Sequence, residues 1–269
     1  MESPAKSVRV VRWVDGSRTD ASDRLALEEP LEIRVRGRAV TVTMRTPGGE
    51  DEDAELCAGF LLTEGIVRGR EDVLKVEACG RNEWGNVVNV LLAPLVHVDF
   101  ERLTRHVFAS SSCGVCGKAT IEAVRGGCSP VRSDVRVSAG VLAGLPRRMR
   151  DRQALFEATG AVHAAALADV RGELKVVRED VGRHNAVDKA LGHAFVRGMA
   201  MADGVLVVSG RISFEIVQKA AMAGVPVVCG VSAPTSLAVE CGEELGVTVA
   251  GFVRDGRVNV YSRGERVIA

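Results

Sequence analysis

The chain is poor in aromatic side chains, with two Trp, one Tyr and seven Phe in 269 residues. Platforms that stack the bases of single-stranded nucleic acid need several such rings together, so that class is excluded. Net charge is lacking too: 35 Lys plus Arg balance 35 Asp plus Glu. No global field recruits nucleic acid, although local basic patches remain available. Long apolar runs are missing. The most apolar stretch, GVPVVCGVSA, is far too short to span a bilayer, and the opening MESPAKSVRVVRW lacks the apolar core of a secretory signal. These absences predict a cytoplasmic protein with no membrane or nucleic-acid partner. In that reducing compartment seven cysteines, an odd number, argue against a disulfide framework and for core thiols plus some reactive ones.

What is present is apolar material, 46% of the chain, enough for a core without staples. Residues 1–30 read as charged and irregular, with one strand at Val8–Val14. Alternation about Gly37 predicts a hairpin of Leu31–Arg36 and Ala39–Arg45. EDEDAELCAGFLLTEG predicts a helix with an acidic first turn, an apolar face of Leu56, Cys57, Phe60 and Leu61, and a stop at Gly65. NVVNVLLAPLVHV is a strand region broken at Pro94. RMRDRQALFEATGAVHAAALAD reads as helical, which places His163 on a mostly apolar helix as a core histidine. From ELKVVR onward, apolar strands alternate with helices of about a dozen residues, which implies a largely parallel sheet. The expected layout is a smaller mixed α+β domain over 1–110, a cysteine-bearing connector over 111–130, and an α/β domain over 131–269.

The segment SSSCGVCGK puts Cys113 and Cys116 one helical turn apart, behind Ser112 as a plausible N-cap. A helix N-terminus and Lys118 would favour the thiolate. Three chemistries suit such a pair. A structural zinc site needs a second pair, which Cys57, Cys79, Cys128, Cys229 and Cys241 do not supply. A zinc deaminase needs H-x-E, and alanine stands at 165 where the glutamate should be. Dithiol exchange fits the spacing but not the position in the chain. Sulfur carriage needs one activated thiolate, which takes the outer sulfur of a persulfide, and a site for the acceptor.

Three strand ends offer such a site. Arg183 and His184 follow one strand, Ser209, Arg211 and Ser213 a second, and Ser232, Thr235 and Ser236 a third. Ligands of open α/β sheets bind at such ends, and arginines near helix N-termini suit phosphates or a nucleotide. The FVRDGR turn adds Arg254 and Arg257. There is no Walker A loop and no G-x-G-x-x-G element, so mononucleotide hydrolysis and dinucleotide redox chemistry are not favoured.

EEPLEIRV, VTMRTPG, AGFLLTEGI, SSCGVCGK, TGAVHAAAL, EDVGRHNAVDKALG, SGRISFEIVQKAAMAGVPVV, SAPTSLAV and GFVRDGRVNVY occur in this order. Together they closely resemble the formate dehydrogenase accessory sulfurtransferases, the FdhD family, from about residue 25 to the end. The resemblance implies a C-terminal cytidine-deaminase-like three-layer fold with a mixed sheet and no metal. It implies sulfur transfer from a cysteine desulfurase to the bis-molybdopterin guanine dinucleotide cofactor of formate dehydrogenase, with GDP as a mimic of the cofactor's ends, and a homodimer. Cys113 corresponds to the persulfide-bearing residue and Cys116 to its assisting partner. The cofactor-contacting segment falls on Phe252, Val253, Arg254, Asp255, Gly256 and Arg257, with Arg183, His184, Ser209 and Arg211 as further candidates. The rival readings are a non-catalytic chaperone that only binds and delivers the cofactor, and a dithiol oxidoreductase.

Overall fold

The computed structural model describes residues 3–48, 50–79, 85–100, 128–254 and 256–269. Cys113, Cys116 and Asp255, and the helix expected beyond Ser112, lie outside the described residues. The C-terminal half is built on a six-stranded sheet ordered β13-β12-β11-β10-β8-β9. Its strands are β8 (His163–Ala168), β9 (Leu174–Asp180), β10 (Val205–Val208), β11 (Val227–Gly230), β12 (Thr248–Arg254) and β13 (Arg257–Ser262). The sheet is mixed. Parallel pairing joins the central β10, β11 and β12, while β8, β9 and β13 pair antiparallel around them. The parallel strands are buried on both faces, which explains their unbroken apolar sequences.

Alternate residues of these strands feed two cores. Leu206, Val208, Val228 and Val249 meet helices α4 (Arg183–Val196), α5 (Phe214–Met222) and α6 (Ser236–Leu245) on one face. Val205, Val207, Val227 and Ala250 meet α2 (Ala139–Arg150) on the other. The result is three layers, helix, sheet and helix. None of the described helices is long and apolar enough to cross a membrane.

Two expectations are corrected here. Residues 5–26 are not irregular: β1 (Ala5–Val14) and β2 (Ser17–Ala26) form an antiparallel hairpin about Asp15–Gly16, both at positive φ. The strand read at Val8–Val14 is the larger part of β1; β2 is polar or charged at most positions and mostly exposed, so no apolar alternation announced it, and the Asp-Gly turn was the usable signal. The hairpin packs against α3 (Ala154–Thr159). The second correction concerns GAVHAAALAD. The helix stops at Gly160, which is left-handed, and His163–Ala168 is strand β8, buried between both helix layers. A wholly apolar run has no period, so strand and buried helix look alike in sequence.

The N-terminal part pairs β4-β3-β6-β5, with β3 (Glu29–Val35) and β4 (Arg38–Arg45) as the expected hairpin, and β5 (Val73–Ala78) and β6 (Val87–Leu92) beside them. Leu31, Ile33, Val35, Val88 and Val90 pack on Leu56, Cys57 and Leu61 of α1 (Glu50–Thr63). Helix α1 then crosses α4 at backbone contact. A Cβ on Gly59 would overlap the carbonyl of Asp188, and one on Gly192 that of Glu55.

This crossing is laced with buried charge. Lys189, fully buried, lies 2.9 Å from Asp180 and donates to the Thr46 carbonyl (2.9 Å) and to Glu52 (3.2 Å). Lys219 donates to both oxygens of Asp188 (2.9 and 2.8 Å) and to Thr63 (2.8 Å). Burial alone would discharge Lys219, but Asp188, Glu64 and Glu215 outweigh it and hold the ammonium charged. Removing one partner of such a pair strands a charge in the core. Asp188→Ala should therefore cost about 3–5 kcal/mol, and the apolar replacement Asp188→Leu with Lys219→Met much less. Denaturant unfolding checks this; a single-variant cost below about 1 kcal/mol would show that the pair is solvated.

Candidate functional site

A cavity of about 1080 Å³ opens where the sheet ends. Ser209 follows β10, Val231 follows β11, and Val253 and Arg254 close β12. His163 begins β8 and Val181 follows β9, both antiparallel, so they reach the same edge. Helix α2 and the turn into α3 form the opposite wall with Arg147, Arg150, Gln153 and Phe156. This is the carboxyl-end crevice at which open α/β sheets hold ligands.

The β12 side is shaped by an irregular backbone. Pairing with β13 is interrupted between Gly251 and Arg254, and Phe252 sits at φ 51. A bulky residue in the left-handed region costs on the order of 1–3 kcal/mol and persists only where neighbours enforce it. Here the Phe252 amide donates to the Ser232 carbonyl (3.1 Å), and a Cβ on Gly251 would overlap Pro234. The irregularity buries Val253 and turns Arg254 to the rim. Arg254 then stands directly opposite Arg257 across the strands. Like charges in register repel, and an anion bound at the turn would relieve them.

Other sequence candidates have different places. Ser209 accepts the Ala164 amide through its hydroxyl oxygen (2.9 Å) while lining the cavity. Arg183, His184, Arg211 and Arg257 are not among the lining residues. His184 pairs with Glu215 at 2.9 Å, and Arg183 has a buried Nε with no hydrogen bond. Burial opposes the charged form of Glu215, but His184, Arg183 and Ser213 outweigh it and hold its carboxyl below the usual carboxylate range. Burial first, then the charges of Arg183 and His184, lower His163 below its usual 6.5. The motif EDVGRHNAVDK mostly serves the junction: Asp180 accepts from Gly182, Asn185, Thr46 and Lys189.

Sequence reading missed Arg147, Arg150, Gln153 and Phe156. The available signal was the arginine-dense PRRMRDRQALF, which read simply as helix because its ligand-facing role depends on a layer packed against distant strand ends. Among the described residues no three His, Cys, Asp or Glu converge as metal ligands.

A model of the FdhD/NarQ family matches residues 26–268. The chain belongs to the FdhD/NarQ family. The match begins as the β1–β2 hairpin ends. The chain is 48% identical over 268 residues to the sulfur carrier protein FdhD of Mycolicibacterium paratuberculosis, covering 96% of this chain and 97% of that one. It is 50% identical over 256 residues to the protein of the same name from Mycobacterium tuberculosis, with 91% and 92% covered. In three dimensions it resembles a candidate formate dehydrogenase accessory protein from Desulfotalea psychrophila, with a TM-score of 0.79, 24% identity, and 99% and 100% of the two chains covered. That likeness shows the fold.

Two cysteines of this FdhD/NarQ chain are chemically quiet. Burial pushes the Cys229 thiol up to about 12, and burial with Asp53 nearby pushes Cys57 up as well. Both should resist iodoacetamide at pH 8 in the native protein and label fully once it is unfolded, as peptide mass mapping would read out; fast native labelling of either would refute the packing around it. The imidazole of His163 should titrate below 6.5. A lowered histidine pKa means the folded state binds fewer protons than the unfolded state in that window. Its contribution to stability is therefore complete above 6.5 and lost as pH falls through the folded value. An NMR titration of the ring, with stability measured between pH 5 and 7, tests both, and His163→Gln should flatten this part of the acid loss.

Proposed function

We propose that this chain is a sulfur carrier in formate dehydrogenase maturation that acts as a sulfurtransferase. Cys113 accepts sulfur from a cysteine desulfurase, and the recipient is the bis-molybdopterin guanine dinucleotide cofactor, a substrate held by the C-terminal domain. The observation that carries this reading is the cavity at the carboxyl ends of β10, β11 and β12, rimmed by Arg147 and Arg254, in a chain about half identical to proteins named sulfur carriers. Of the segment expected to contact the cofactor, Val253, Arg254 and Gly256 line that cavity. Residues 1–110, 111–130 and 131–269 act as support, cysteine loop and acceptor domain in a cytoplasmic homodimer.

The chemistry balances in two steps. The Cys113 thiolate attacks the outer sulfur of the desulfurase persulfide. The donor cysteine leaves as a thiolate, and Cys113 becomes the persulfide. Cys116 then attacks the Cys113 sulfur, which releases hydrosulfide and leaves a Cys113–Cys116 disulfide. The two thiols supply the two electrons that reduce the sulfur, and a cellular thiol reductant resets the pair.

Incubation with a cysteine desulfurase and cysteine should add one sulfur atom to the intact mass, and Cys113→Ala should abolish the gain. A Cys113→Ala protein that still supports active formate dehydrogenase would favour the chaperone, and disulfide-reductase turnover requiring both cysteines would favour the oxidoreductase. Full transfer by Cys116→Ala would remove the second step. GDP should bind, and Arg254→Ala or Arg257→Ala should weaken it roughly tenfold, the scale of one charge-assisted hydrogen bond. Unchanged calorimetric affinity in both would remove the assignment of this turn.

A further inference from the structure

Three residues of the α2–α3 wall, Arg150, Gln153 and Phe156, are not used by the phosphate-binding reading. Gln153 is only 5% exposed, yet its carboxamide makes no hydrogen bond among the described residues. Nor are its amide atoms among the sealed, unpaired polar atoms of the structure, so they open onto the cavity that the residue lines. Buried amides are normally satisfied, because an unpaired one forfeits its hydration without return. Three residues to either side, the guanidinium of Arg150 lies over the Phe156 ring at 4.2 Å from its centre, and both line the same wall. Arg150 is paired with Glu157 at 2.8 Å, so its charge is already answered. That leaves it as a flat plate more than as an anion anchor. Arg147 and Arg254, also on the cavity, carry no ion pair among the described residues. The lining therefore carries two kinds of group. Arg150, Phe156 and Gln153 offer a planar stack beside an amide, and Arg147 and Arg254 offer two guanidiniums without an ion pair among the described residues.

Resting on the function proposed above, we propose that Gln153 and the Arg150–Phe156 stack hold the nucleobase of the bound guanine nucleotide, while Arg147 and Arg254 take its phosphates. A carboxamide offers one donor beside one acceptor, which matches the O6 and N1–H edge of guanine. Arginine and phenylalanine faces accept a purine ring by stacking. The wall is fixed at its root, since the amides of Leu155 and Phe156 donate to the Glu179 carboxylate (2.9 and 2.8 Å) at the end of β9. Gln153 is thus a specificity residue that would contact the ligand directly. The amide alone does not separate guanine from adenine, because it can turn over to meet the N6 and N1 edge of adenine.

The test is calorimetry of the full chain with GDP, ADP and inorganic pyrophosphate. Gln153→Leu should weaken GDP about tenfold and leave pyrophosphate unchanged. It should also raise the melting temperature of the free protein, since it removes an unpaired buried amide; a structural glutamine would give the opposite sign. Gln153→Glu should keep GDP, because a carboxylate accepts from N1–H and the exocyclic amine of guanine, and should lose ADP. Phe156→Leu should weaken GDP and ADP alike and spare pyrophosphate. If GDP binds the wild type and Gln153→Leu binds it equally well, this assignment is overturned and the proposed function stands. If the wild type binds neither GDP nor pyrophosphate, the cavity is no nucleotide site and both fall.

Discussion

Lys189 has no exposed surface, and its ammonium is tolerable there because Asp180 lies 2.9 Å away. An isolated charge so placed would lose far more hydration than packing could return, so the pair must form together or not at all. Asp180 is equally committed. One oxygen accepts from Gly182 and Asn185 and the other from Thr46 and Lys189. Asn185 reaches on to the Met44 carbonyl (2.7 Å) and accepts from Thr43 (3.1 Å). Four segments, the end of β4, the start of α1, the end of β9 and the first turns of α4, are thereby fixed at one point. Glycines at 59 and 192 allow the two helices close enough for this to happen. The N-terminal sheet is consequently docked by directional polar contacts beside its apolar ones, and a register slip of either helix would break several at once.

The same point governs the cavity. Glu179, next to Asp180, turns its carboxylate to the first turn of α3 and its carbonyl to Lys189 (3.4 Å). Phe156 is therefore placed by the end of β9, and β9 is placed by the buried pair. On the opposite side Phe252 is held in a left-handed backbone by Ser232. One wall is set by satisfied charge and the other by strain, and the open space between them is what neither can collapse into. Strain at a rim whose function is to present Arg254 is consistent with a site in which geometry takes precedence over local stability.

Much of this was legible in the residues. The β3–β4 hairpin, α1 with its buried Leu56, Cys57 and Leu61, and the alternation from β9 to β13 all follow from apolar periodicity and turn chemistry, and they appear in the structure. Ser209, Val253, Arg254 and Gly256 do come together at the sheet's edge. The failures have physical reasons. Strand β8 is buried on both faces, so it carries no period. The β1–β2 hairpin is nearly all solvent-facing, with Trp13 65% exposed, so beyond the strand read at Val8–Val14 hydrophobicity says little of it. Asp180, Asn185 and Lys189 sit in a stretch that reads as phosphate-binding, because a buried ion network and an anion site draw on the same residue types. Only tertiary placement separates them. Gln153 has no local signature at all, since an unpaired amide is visible only when the surroundings that fail to pair it are known.

An overall balance of 35 basic and 35 acidic residues looks at odds with a site for anions. The resolution lies in where the acids are used. Glu52, Glu55, Asp180 and Asp188 are each bound to internal cations at the junction, and Glu215 to His184. Of the arginines that line the cavity, Arg150 is paired with Glu157, while Arg147 and Arg254 have no ion pair among the described residues. Such a site has no long reach, because beyond about 8 Å at physiological ionic strength its field is screened and the neutral remainder cancels it. It therefore favours a compact ligand with concentrated charge, such as a diphosphate, that gains from two guanidiniums at contact. A long polyanion would have to lay its further charges along a surface that is on balance neutral, and would gain little there. Neutrality thus contributes to selectivity: it suppresses non-specific binding of extended polyanions while leaving a short-range anion site intact.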